Sequence, residues 1–368
     1  MSGISMSKQS IQELYTKIEL LNSEDFVVDE LEGIVTSGNI SIDSTSDVRR
    51  TCNLTILLNN KSLIPVDRNS VIWFDKKFKL YVGVKDFLTG EIEWFNKGIY
   101  YFTNPNISFS KDDASISIAG LDKMCVYTSD FDGSLMYKTK IDANTPVFDA
   151  VKNLIGLVGE TNYIINDVEG LTIPYDITKD ETASIIDFLI EIRDLYMGYE
   201  FFYTEEGTFV WQKIKDRKYD SVQYAFEEDD KTVISYSNNP DFSNAKNKIV
   251  VWGKQFEDME QITSTLINKN DNKFGIDYIG EKSFTVSDDK IQTQVQADLR
   301  AEYEMYLHSN LNESINIDSI QILDLDVNKI MTVNKSYCGI EGKFLVERLS
   351  YQLGNDGTMN VEAKKLYY

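Results

Sequence analysis

The chain is 368 residues long, 42% hydrophobic and 12% aromatic, a composition that excludes global disorder and suits β-rich packing around one large core or roughly two to three smaller ones. A formal net charge of -22 repels phosphate and so argues against sequence-independent nucleic-acid binding. No apolar run is long enough to span a bilayer, and MSGISMSKQS at the N-terminus carries no hydrophobic signal core, so the sequence reads as a protein made and folded in a cytoplasm, without membrane insertion.

Residues 1–30 read as an N-terminal arm. Ser10-Ile11-Gln12-Glu13 has the capping-box pattern, and Ile11, Leu14, Tyr15 and Ile18 fall on one helical face. Asn22-Ser23-Glu24-Asp25 then turns into Phe26-Val27-Val28. The expectation is a short helix followed by a hairpin, although Lys17-Ile18-Glu19-Leu20 also alternates. From 31 to 127 the pattern is β. Cys52, Leu54, Ile56 and Leu58 share one face of a strand, and Phe78, Leu80, Val82 and Val84 share another. Short strands separated by turns predict a sandwich or a barrel, here a first β-barrel domain. The basic clusters Lys76-Lys77-Phe78-Lys79 and Lys213 to Lys218 read as solvated strand faces and turns.

Character changes over 128–215. Thr145-Pro146 is an N-cap with proline at the first helical position, followed by a stripe of Val147, Val151, Leu154, Ile155 and Val158, with Gly159 to end it. Thr178-Lys179-Asp180-Glu181 reads as a second capping box ahead of Ile185, Ile186, Leu189, Ile192 and Tyr196. Gly198 closes that helix, and Tyr199 to Trp211 forms a hairpin about Glu205-Glu206-Gly207. This is a small α+β domain set between β regions.

Residues 216–368 read as a second β-barrel domain with an insertion at 255–312. The insertion starts polar and irregular, with Asn268 to Lys273 as an exposed loop. A long helix then follows, capped by Ser287, with Asp288 and Asp289 in its first turn and Ile291, Val295, Leu299, Tyr303, Tyr306 and Leu307 on one face. Strands from Ser314 to Leu323 and a hairpin from Gly339 to Lys365 complete the chain. The fold class is therefore β-rich α+β.

That terminal hairpin has an echo. Gly98 matches Gly342, Asp113 matches Asp356, and Ile116 and Ile118 match Met359 and Val361, with one gap. The reading is a duplicated β unit.

No stretch announces catalysis. His308 is the single histidine and sits beside an apolar stripe, where packing explains it better than general-base chemistry. HExxH, GxSxG, the Walker A loop and GxGxxG are all absent, and the many carboxylates single out no pair. Asp324-Leu325-Asp326-Val327-Asn328 begins like a calcium loop, but Lys329 stands where glycine is required and Lys335 where the bidentate glutamate is required, so it reads as a turn with exposed acids. Cys52, Cys125 and Cys338 are too scattered for a disulfide framework or a metal knuckle, and their apolar neighbours predict buried thiols. No catalytic, cofactor-binding or metal residue is assigned. Arg49-Arg50 stands out, because adjacent residues of a strand point to opposite faces. One exposed arginine with the other paired to a surface acid is the plain reading. A bridge across an oligomer interface is the functional one.

The order of elements is similar to a known family. Gly33-Ile34-Val35 through Arg49-Arg50-Thr51-Cys52 to Ile56, then Ser115 to Lys123, the helix at Thr145, the hairpin from Tyr196 to Trp211 and the terminal GKFLVERLSYQL with GTMNVEAKK together resemble the tail (baseplate) hub of tailed bacteriophages and related contractile particles. The resemblance covers nearly the whole chain, and its motifs are structural. It implies a homotrimer of subunits with two tail-tube-like β-barrels each, joining a sixfold tail tube to a threefold spike or tip and forming part of a DNA conduit. The implied partners are the tube protein, the spike or tip protein and other baseplate proteins. The implied location is the virion tail, assembled in the host bacterial cytoplasm, with no enzymatic activity and no cofactor. The alternative is a tail-tip protein that binds or hydrolyses cell-wall glycan.

Overall fold

A computed structural model describes residues 12–32, 35–58, 63–73, 76–109, 114–214, 220–257, 259–269, 274–309, 311–354 and 357–366. The capping-box residues Ser10 and Ile11, the basic run 215–218 and the turn residues Lys111 to Asp113, Asn355 and Asp356 lie outside them, as does most of the loop Asn268 to Lys273.

The first half is strands: β1 (Leu14–Leu21), β2 (Val27–Glu32), β3 (Val35–Asp43), β4 (Arg50–Leu57), β5 (Lys77–Lys85), β6 (Ile92–Phe109) and β7 (Ala114–Asp122). β1 corrects the expected helix. It runs antiparallel to β5 from Leu14 opposite Val84 to Leu21 opposite Lys77. Period-two alternation sends Ile18 and Leu20 into the core, and this tertiary packing overrides the helical spacing. The Asn22 side chain accepts from the backbone N–H groups of Glu24 and Phe26, fixing the turn into β2.

The middle unit holds β8 (Thr139–Ile141), α1 (Val147–Gly156), β9 (Tyr163–Ile165), β10 (Ile177–Lys179), α2 (Ile185–Leu195), β11 (Tyr199–Tyr203) and β12 (Phe209–Lys213). Its own core gathers the inner faces of both helices around Phe188, Phe209 and Trp211. The second helix is capped by Ser184 with Asp187, not by the Thr178 box, since Thr178 pairs with Lys140 in a short ladder.

The last part holds β13 (Val222–Phe226), β14 (Val233–Asp241), β15 (Lys248–Trp252), β16 (Thr263–Ile267), α3 (Ile276–Ile279), β17 (Ser283–Ser287), α4 (Gln294–His308), β18 (Asn312–Ile320), β19 (Ile330–Lys335), β20 (Ile340–Leu353) and β21 (Thr358–Lys365). β15 leaves the main sheet and pairs with β16 and β17 in a separate small sheet packed on α4. Two expectations change here. Ser287 ends a strand, and the helix is instead capped by Thr293 with Gln296. At 15 residues α4 is a helix of ordinary length, not a long one. Its inner face is Ala297 and Ala301, while Val295, Leu299 and Tyr306 face outward.

β8 and β10 pair in a two-stranded sheet and β9, β12 and β11 in a three-stranded one, and the strands left outside these small sheets build one 13-stranded sheet in the order β14-β18-β21-β20-β3-β4-β7-β6-β5-β1-β2, with β19 and β13 branching from β20. Five strands of the first half, β3-β4-β7-β6-β5, repeat in the second as β14-β18-β21-β20-β19. The details repeat too. The β3–β4 ladder shifts register between Val35 and Ser37, and the β14–β18 ladder between Val233 and Ser235. Gly98 lies opposite Leu80 at φ +133, and Gly342 lies opposite Val333 at φ +131, a backbone region that side chains avoid. Two residues further on, Tyr100 and Phe344 are both fully buried. The halves differ at their ends: β1 joins β5 antiparallel, whereas β13 joins β19 parallel. Where closed barrels were expected, no ladder among the described residues closes either half on itself. β3 and β20 instead fuse the halves edge to edge over one continuous core.

Candidate functional site

The most structured polar site lies where the first half, the middle hairpin and the second half meet. β4 begins at Arg50, so Arg49 and Arg50 leave the backbone on opposite sides. The Arg49 guanidinium stacks on Phe202, 3.8 Å from the ring centre, and its Nη2 donates to Glu200 Oε2 at 3.1 Å. Glu200 also accepts from Gln212 Nε2 at 2.9 Å and from Asn328 Nδ2 at 2.8 Å, so one carboxylate ties all three parts together. Arg50 Nη2 donates to Asp326 Oδ2 at 2.8 Å and lies 3.6 Å from Glu205. The Arg50 backbone N–H donates to Asp122 at the end of β7, 2.8 Å away.

Lys97 completes the cluster. It is 3% exposed, donates to the Leu323 carbonyl at 2.5 Å, and rests over the Tyr351 ring at 4.1 Å. Tyr351 in turn donates to the Leu325 carbonyl at 2.7 Å. The loop between β18 and β19 is thus strapped down by Lys97, Tyr351 and Arg50. Beside it opens a cleft of about 400 Å³, lined by Tyr81, Trp94, Asn96, Arg50, Glu206 and Asp326 among others.

Burial controls the electrostatics. It pulls the Lys97 ammonium down to about 7, with Arg50 adding to the shift and Asp326 opposing it. It pushes Asp122 up to about 6, although two backbone N–H groups favour the charged form. Burial also works against the Asp326 carboxylate, but Arg50 holds it below the usual range, and Asp326 holds Arg50 charged.

A second buried network lies close by in the fold. Asp25, at the turn before β2, bonds Lys77 and also Lys123 at 3.0 Å. Lys123 meets Glu160 at 2.8 Å, and Tyr203 donates to Glu160 at 2.7 Å while touching Tyr127 at 2.8 Å. Both clusters tie parts of the chain together. In neither do nucleophile, base and an open reacting position coincide.

Sequence reasoning singled out Arg49 and Arg50, and neither is exposed or left for a surface acid. They are 5% and 3% exposed, and the chain's own Glu200 and Asp326 meet them. Asp326, read as an exposed turn acid, is the main partner of Arg50. Cys52 and Cys125 are buried, but Cys338 is exposed, because it lies in the 3-10 turn after β19 instead of on a strand face. The His308 ring packs on Phe284, with Nδ1 2.8 Å from Asn244 and Nε2 3.4 Å from Glu304. Lys97, Asp122, Glu200 and Glu205 were not marked as site residues by the sequence: Glu205 read only as part of a hairpin turn, Asp122 and Glu200 lay within structural motifs, and Lys97 only precedes a glycine that the repeat had marked.

The fold has counterparts among solved structures. The 43 kDa tail protein of prophage MuSo2 from Shewanella oneidensis superposes with a TM-score of 0.65 at 12% identity, covering 95% of this chain and 98% of that one. A tail protein from Neisseria meningitidis gives 0.64 at 12% identity, with 95% and 96% covered. A chain of the Francisella PdpA-VgrG complex gives 0.61 at 12% identity, and there 96% of this chain matches 53% of the other. No protein-family model matches the sequence, and no curated protein matches it. The chain therefore carries the fold of these phage tail proteins, shared at the level of structure and not of sequence.

Proposed function

We propose that the protein is the subunit of a tail hub: a non-enzymatic homotrimer that joins a sixfold tail tube to a threefold spike or tip and forms part of the DNA conduit. The observation that carries this reading is the doubled five-strand unit within one chain. Three such chains present six like units, which is the arithmetic an adaptor between sixfold and threefold symmetry requires. The two halves then stand for the two tube-like barrels, at 31–127 and 216–368, with the units at 128–215 and 255–312 as additions on the outside. Arg49 and Arg50 serve this role from within, by fixing the angle between the parts of each subunit.

The charge of -22 suits a passage through which DNA slides without binding. The tube protein, the spike or tip and other baseplate proteins are the partners, in a virion tail assembled in the host cytoplasm. Native mass spectrometry of the full chain, alone and with tube protein, tests the reading. Three-chain rings that bind the end of a tube are expected. A strict monomer that cleaves or binds cell-wall glycan overturns it in favour of a tail-tip glycan protein.

A further inference from the structure

The repeat also shows where one chain meets the next. Inside the chain, the halves are joined because the C-terminal part of β20 takes β3 on its free side, from Arg348 opposite Asp43 to Leu353 opposite Gly38. The first-half counterpart of β20 is β6, and the second-half counterpart of β3 is β14. β5 covers β6 only as far as Tyr101, and beyond this no described strand pairs with that side of β6. β14 is likewise the end of the strand order, with β18 on one side and no described strand on the other. The chain thus has one unfilled edge of each kind that it fills internally.

We propose that these edges pair between copies, with the end of β6 in one subunit taking β14 of the next. This rests on the trimeric reading above and names the surface that would build it. The register follows from the closed junction. Tyr351 and Ile107 occupy one position of the repeat, since Met359 and Ile116 lie opposite them. Ile40 and Asn238 occupy another, since Cys52 and Ile315 lie opposite them. Ile40 pairs with Tyr351, so Asn238 pairs with Ile107 of the neighbour. Asn106 then faces Asn239, Ser108 faces Ser237 and Phe109 faces Tyr236. Pro105 and Pro240, which donate no N–H, end the ladder there.

The exposed side chains agree. In the filled junction Leu353 is buried, whereas its counterpart Phe109 is 66% exposed. An exposed pair of long edges carrying such residues is otherwise an aggregation hazard. A second copy is the occupant because its edge is the one that the chain's own symmetry specifies. The contact is head to tail and closes into a ring.

Disulfide trapping tests this in the full chain, with the exposed Cys338 first replaced by serine. Ser108→Cys with Ser237→Cys sets thiols on directly opposite residues, and Ser108→Cys with Asn238→Cys sets them on opposite faces of the ladder. After mild oxidation, the first variant should give covalent dimers and trimers on a non-reducing denaturing gel, at least about tenfold more than the offset variant. Equal yields, or a bridge confined to one chain, overturn the register. A three-chain native mass without cross-linking overturns the ladder but leaves the hub reading standing. A monomer without cross-linking overturns both.

Discussion

Replacing Arg50 by methionine keeps most of the aliphatic stem and removes the charge. Asp326 is then left partly buried at the cleft wall, with the Val327 N–H bonded to its carboxylate and the Lys97 ammonium as the remaining cation acting on it. Breaking a buried pair by deleting one partner costs about 3–5 kcal/mol, because the surviving charge is uncompensated. Glu205 is half exposed and 3.6 Å away, so its loss adds little. Asp326→Leu alone strands Arg50 in the same way. The double variant, with both charges gone, should recover at least about 2 kcal/mol relative to the sum of the single losses. Urea unfolding of the four proteins, followed by tryptophan fluorescence and circular dichroism, gives the coupling directly. Single losses that simply add, with a coupling under about 0.5 kcal/mol, would refute the claim that this pair joins the two halves.

The other predictions concern the same framework. Gly98→Ala should destabilise more than Gly342→Ala: both sit at strongly positive φ, but a Cβ at position 98 would lie 3.1 Å from the Tyr100 ring, whereas at 342 the nearest atom is 3.6 Å away, on flexible Lys365. Urea midpoints rank the two. Lys97 titrates near 7 when folded against 10.5 when free, so the unfolded chain binds more protons between those values, and stability should rise with pH across that window in the wild type but not in Lys97→Met. Asp122 has the opposite sign: about 6 folded against 3.8 free, so its contribution is full below about 4 and is lost as pH rises through about 6, a fall that Asp122→Asn should abolish in melting curves. Finally, a thiol reagent should label Cys338 rapidly in the native protein and reach Cys52 and Cys125 only after denaturation.

How much was legible in the sequence depended on whether the signal was local. Strand periodicity at Cys52, Leu54 and Ile56 needs only neighbours in the chain, and it matched β4. The Gly98–Gly342 match was legible because a backbone at positive φ demands glycine wherever the unit recurs. β1 was misread since Leu14 to Leu21 satisfies two periods, and only the eight-residue pairing with β5 decides between them. The stripe on α4 misled for a related reason. Val295, Leu299 and Tyr306 point outward, and the buried face is Ala297, Ala301 and Glu304, small or charged residues that carry little hydrophobic signal. The polar junction was out of reach, because its bonds span up to 276 residues and depend on how three parts meet.

The placement of β20 has a consequence for the order in which the protein is made. This one strand pairs with β19, β21 and β3, and its bond from Arg348 to Asp43 bridges 305 residues. A ribosome therefore releases β3 long before the strand that covers it. Through most of synthesis the nascent first half carries a bare strand edge lined by Ile40 and Ile42, and contacts of such range form late. Chains halted before residue 340 should accumulate in aggregates or on chaperones, so the last thirty or so residues would act as the stopper that makes the first half soluble.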